Sequence, residues 1–126
     1  MMMTMELSHY PGAIAQAAGR VNELDSEIMA VQQLLNRVEG HADTRSAFDV
    51  DLKNDTQRKA RRFEVLLTDR EYQTATNTLM RLTAEKANAL ANLEYLRNQF
   101  SVAKLETRRA IAQQLTDFES RELVGL

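Results

Sequence analysis

The densest set of chemically capable side chains in this 126-residue chain is the run Arg58, Lys59, Arg61 and Arg62. On a helix these four cations lie opposite Ala60, Phe63 and Leu67, so they share one solvent face that could contact phosphate. The same face could equally be solvated, or pair with the acidic first part of the chain, which is the commoner fate of a charge run. Residues 1–51 carry eight acidic and three basic side chains, whereas residues 52–126 carry ten acidic and thirteen basic ones. The halves are therefore electrostatically complementary, which favours pairing within the chain or between subunits. With a net charge of -2 the chain lacks the basic signature of a dedicated nucleic-acid binder. Tyr72, Tyr95 and most phenylalanines fall on apolar stripes, which leaves few platforms for base stacking. Lys104, Arg108 and Arg109 form a second, weaker basic spot.

Other chemistries find less material. His9 falls in a frayed amino terminus and His41 in a linker, each without the helical partner or carboxylate spacing of a metal site. Asp117, Glu119 and Glu122 crowd toward one helix end, but Arg121 stands among them and solvation accounts for the group. No phosphate-binding glycine loop, dinucleotide fingerprint, zinc-protease helix or nucleophile elbow occurs. The absence of cysteine removes disulfides, thiolate sites and cysteine nucleophiles together. No catalytic residue, cofactor or metal is expected, and the chain reads as a non-enzyme.

The elements that must position these residues are helical. Four glycines and one proline leave few turns for this length, while Ala, Leu, Gln, Glu and Arg are plentiful. An all-α fold follows, as a single domain over residues 1–126: an elongated antiparallel helical hairpin or three-helix bundle, coiled-coil-like, with one very long carboxy-terminal helix. Residues 1–6 are expected to fray and carry no secretory signal, and no charge-free run is long enough to span a membrane. A cytoplasmic location is the expectation.

The first helix is expected from Pro11 to about Glu39, since proline is tolerated at a first helical position. Ile14, Val21, Ile28 and Leu35 recur at seven-residue spacing, as do Ala17, Leu24, Val31 and Val38, a strict heptad over about 43 Å. Gly40 is expected to end this helix, and residues 40–54 to form a linker that tucks Phe48 or Leu52 against the bundle. The second helix is expected over 55–67 with Asp55 as N-cap and an apolar stripe of Thr56, Ala60, Phe63 and Leu67. Thr68 or Asp69 then caps the third. So short a turn implies that the second helix folds back antiparallel along the third.

The third helix is expected over 70–118, free of Gly and Pro and roughly 70 Å long. One stripe collects Leu79, Leu82, Leu93, Leu96, Phe100, Ile111, Leu115 and Phe118. A second, opposite and alanine-rich, collects Met80, Ala84, Ala87, Ala91, Tyr95, Val102 and Leu105. A helix apolar on two faces needs two partners, and the shorter helices hardly cover both. The eleven-residue step from Phe100 to Ile111 straightens the helix near Arg108. Lys86 takes a core-like place in the first stripe and reads as a register device with a snorkelling stem. The expected interface is Met80, Ala84, Ala91, Tyr95, Val102 and Leu105, with a second copy as the first choice of partner, a dimer above other oligomers, and another protein as the second. The last residues, ending in Gly125, are expected to fray.

Lys53, Asn54, Asp55, Gln57, Arg58, Lys59 and Ala60, then Asp69 and Tyr72, then Glu94, Tyr95, Leu96, Arg97 and Phe100, follow an order that resembles small helical coiled-coil proteins of phage and prophage recombination regions. The resemblance covers about residues 52–105 and leaves the first helix outside. It implies no catalytic residue. Two functional expectations stand together: a non-enzymatic scaffold or adaptor acting through coiled-coil contacts and self-association, and, as the alternative, an accessory protein in DNA or RNA transactions using the basic face of the second helix. Membrane-surface binding would need a longer and more apolar basic helix.

Overall fold

A computed structural model of the chain describes residues 5–124; of the lead-in 1–6 expected to fray, residues 1–4 lie outside them, as does Gly125, and Met5 and Glu6 have no regular structure. The fold is all-α. A single 3-10 turn, Leu7–His9, leads into α1 (Tyr10–Ala47), which is followed by α2 (Asp55–Thr68) and by the long carboxy-terminal α3 (Arg70–Val124). No strand occurs among the described residues. None of the described helices is long and apolar enough to cross a membrane. Contacts divide the chain into two compact units, one of Arg20–Asn88 and one of Met1–Gly19 with Ala89–Leu126.

The heptad residues are the ones α1 covers. Ala17, Val21, Leu24 and Val38 are buried, and Ile14, Ile28, Val31 and Leu35 are half-buried. Gly40 does not end the helix, which continues one and a half turns or more to Ala47. Its φ is not positive, so it forms no left-handed cap, and the burial of Ala42 and Ser46 beyond it holds the helix on. The linker is accordingly the shorter stretch 48–54. Leu52 is half-buried there, whereas Phe48 is 81% exposed and not tucked in. His9 and His41 sit on the 3-10 turn and on α1, not in a frayed end and a linker.

Local caps set the next boundaries. Asn54, not Asp55, is the N-cap of α2: its Oδ1 accepts from the Gln57 amide at 2.9 Å, and the Gln57 side chain accepts from the Lys53 amide at 2.7 Å. Asp69 alone separates α2 from α3. Its extended backbone ends α2, and its carboxylate caps α3 by accepting from the amides of Glu71 at 2.8 Å and Tyr72 at 3.2 Å. One non-helical residue cannot reverse a chain, because an antiparallel helical turn needs about two to five.

The expectation that α2 folds back along α3 is therefore overturned. Within the Arg20–Asn88 unit, Arg20 pairs with Glu85 at 3.3 Å and Asp25 with Lys86 at 2.6 Å. Farther along α1, Leu34 and Tyr72 pack on a cluster of Val38, Ala42, Val65 and Leu66. Farther still, Arg62 meets Glu39 and Asp43, and Arg61 meets Asp49. From Arg20 and Asp25 against residues 85 and 86, through Val38 and Ala42 against 65 and 66, to Asp49 against Arg61, partner numbers fall along the chain, so one antiparallel register passes from α3 into α2. In this unit α2 and the start of α3 line α1 in succession. The stripe expected of α2 is also wrong. Val65 and Leu66 are buried, while Thr56, Ala60, Phe63 and Leu67 are exposed.

In the other unit, α1 contributes buried Tyr10 and Ala17 and α3 contributes buried Leu93, with Leu96 and Phe100 half-buried. The Tyr10 ring stacks on Phe100 at 5.4 Å between centroids and 21° between planes. Its hydroxyl donates to Gln99 Oε1 at 3.3 Å. Beyond the expected end at Phe118, α3 runs on to Val124.

Candidate functional site

The four cations of α2 do not share one free face. Arg62 reaches across to α1, where Nε donates to Asp43 and one Nη lies 3.9 Å from Glu39. Arg61 pairs with Glu64 at 3.4 Å and lies 3.9 Å from Asp49, and Arg58 pairs with Asp55 at 3.2 Å. The register places Arg62 against α1 because Val65 and Leu66, one turn on, dock on Val38 and Ala42. Complementary halves thus meet partly within the chain. Arg58, Lys59 and Arg62, with Asp43, Ser46, Ala47 and Asp55, line an open cavity of about 180 Å³. The Ser46 hydroxyl is buried there without a hydrogen-bond partner among the described residues. Two carboxylates in the same wall offset much of the attraction for an added anion.

Lys86 lies where a register device was expected: its ammonium reaches Asp25 on α1 at 2.6 Å. Arg20 adds a second tie to Glu85, which also pairs with Arg81 at 2.7 Å. These pairs are substantially exposed, so each contributes little to stability.

The residues expected at an interface are all exposed, in both units. Met80 and Ala84 lie on α3 within Arg20–Asn88. In the other unit Ala91, Tyr95, Val102 and Leu105 are open, and the Tyr95 hydroxyl accepts from Gln99 Nε2 at 2.8 Å. Tyr95 and Val102, with Tyr10, Asn98, Gln99, Ala103 and Glu106, line a groove of about 290 Å³. Sequence reasoning missed Tyr10, although it stands seven residues before Ala17 and extends that heptad series backward across Pro11.

The first stripe behaves differently along its length. It is covered at Leu82 and Leu93 and half covered at Phe100, but Ile111, Leu115 and Phe118 are as exposed as the second stripe. Every residue of 104–123 is exposed. Lys104 lies over the Phe100 ring, 4.5 Å from its centroid, at the point where cover by α1 ends. No group of three or more His, Cys, Asp or Glu side chains placed to hold a metal ion occurs among the described residues. Comparison with protein-family models, with curated proteins and with solved structures finds no match to the chain.

Proposed function

We propose that this protein is a non-enzymatic, cytoplasmic helical adaptor that acts through self-association and through protein contacts made by α3. The observation that carries the reading is the stretch 104–123, exposed throughout yet bearing Leu105, Ile111, Leu115, Phe118 and Leu123. Most helical stability in proteins comes from packing an apolar face, and this stretch has no such packing among the described residues. Apolar side chains at helical spacing on such a segment are what a partner would cover. On the opposite stripe of α3 in that unit, the exposed Tyr95, Val102 and Leu105 offer a second apolar face. Contact with DNA or RNA phosphates through α2 has less support, because Arg58, Arg61 and Arg62 each already face a carboxylate.

Analytical ultracentrifugation of the full chain tests the proposal. A dimer or larger species at micromolar concentration is expected. A monomer across the whole accessible concentration range would falsify self-association.

A further inference from the structure

The apolar stripe beyond Phe100 continues the seam that α1 covers. At about 100° per residue, Phe100, Ile111 and Phe118 fall within roughly 20° of one line along α3, with Lys104, Leu115 and Glu122 beside it. Tyr10, the first residue of α1, already lies opposite Phe100. What covers the stripe farther on must therefore come from elsewhere than α1.

Charge along the stretch identifies the occupant. Residues 104–109 hold Lys104, Arg108 and Arg109 against one carboxylate, Glu106, whereas residues 117–122 hold Asp117, Glu119 and Glu122 against one cation, Arg121. Among the described residues none of these charges takes part in an ion pair, every pair lying at or before Lys86. A segment basic at one end and acidic at the other is complementary to itself when reversed. We infer that residues 104–123 of two copies pair antiparallel about a two-fold axis near Gln113, an inference that rests on the self-association proposed above.

The register follows from the same residues. With the axis there, Ile111 of each copy faces Leu115 of the other, and Phe118 comes level with Arg108, beside Thr107 on the seam. At the ends of the seam Lys104 comes opposite Glu122. Arg108 and Glu119 project from the same flank of the stripe, and equivalent flanks meet in an antiparallel pair. Symmetry makes each contact twice, as a closed isologous interface requires. A parallel pair would instead set Lys104 beside Lys104 and Glu122 beside Glu122. Each second-copy segment would run antiparallel to α3, as α1 does, and take up the seam where Tyr10 leaves it. The segment is short for an isolated coiled coil, but it grows from the packed part of α3, so the cost of helix nucleation is already met.

Charge reversal on the full chain tests the arrangement by sedimentation velocity, with helicity followed by circular dichroism. Lys104→Glu with Arg108→Glu, and separately Glu119→Lys with Glu122→Lys, should each weaken the homodimer by roughly tenfold or more, since four attractive contacts become repulsive. Both sets lie on exposed residues, so helicity should hold. Mixing the two variants should restore a dimer, because each reversed end then meets its complement. Dimers as tight as wild type in both variants, or no recovery on mixing, would overturn this pairing while leaving self-association standing. A monomeric wild type overturns both.

Discussion

The Ser46 hydroxyl is buried where α1 meets α2 and has no hydrogen-bond partner among the described residues. A hydroxyl that loses water without gaining a partner costs about 1–3 kcal/mol. Ser46→Ala removes that cost, leaves almost no cavity and supplies a better helix former. Urea unfolding should therefore show a gain of about 1 kcal/mol. A loss of similar size would mean that the hydroxyl is bonded in solution. Tyr10 is the opposite case at this scale, a large side chain only 1% exposed, stacked on Phe100 and tied to Gln99. Its spacing from Ala17 was in the sequence. Pro11 hid it, because a proline read as a helix start draws the boundary one residue too late.

Element boundaries turn on competition between local signals and packing. Gly40 carries a local stop signal, yet α1 passes through it because Ala42 and Ser46 continue the buried face against α2. A Cβ at Gly40 would meet nothing within 4 Å, and its φ is not positive. Gly40→Ala should accordingly stabilise the protein by about 0.5–1 kcal/mol, through helix propensity and a less flexible unfolded chain. Thermal melts distinguish this from the rejected cap geometry, in which a side chain at a left-handed position would lower the midpoint. The heptads of α1 and the unbroken span of α3 were legible because each is a repeated pattern over many turns. The direction of α2 was not, since it depends on whether one residue or three leave helical geometry between Leu67 and Glu71. The same unknown misplaced the α2 cations. Once Val65 and Leu66 face α1, Arg62 must approach Asp43 and Glu39 while Phe63 and Leu67 turn outward.

At the scale of the whole molecule, helix length and cover are unequal along α3, and that inequality has a dynamic consequence. Residues 20–88 hold buried side chains from all three helices, whereas 104–123 have no cover among the described residues. Amide exchange protection rises with local packing, and an unsupported helical end opens at little cost. If the end of α3 pairs with a second copy, its protection depends on concentration while that of the packed unit does not. Hydrogen exchange on the full chain at two concentrations, one well below and one well above the dimer dissociation constant, should show amides of 107–120 exchanging rapidly when dilute and slowing by roughly tenfold or more when concentrated. Amides of 21–46 should exchange at the same rate in both. Protection of 107–120 that is high and unchanged on dilution would mean that something within the chain covers this face. Exchange that stays rapid at the high concentration, with dimer present, would move the contact to Tyr95, Val102 and Leu105. That outcome would put the two-fold on the opposite, alanine-rich stripe of α3, where helices approach more closely.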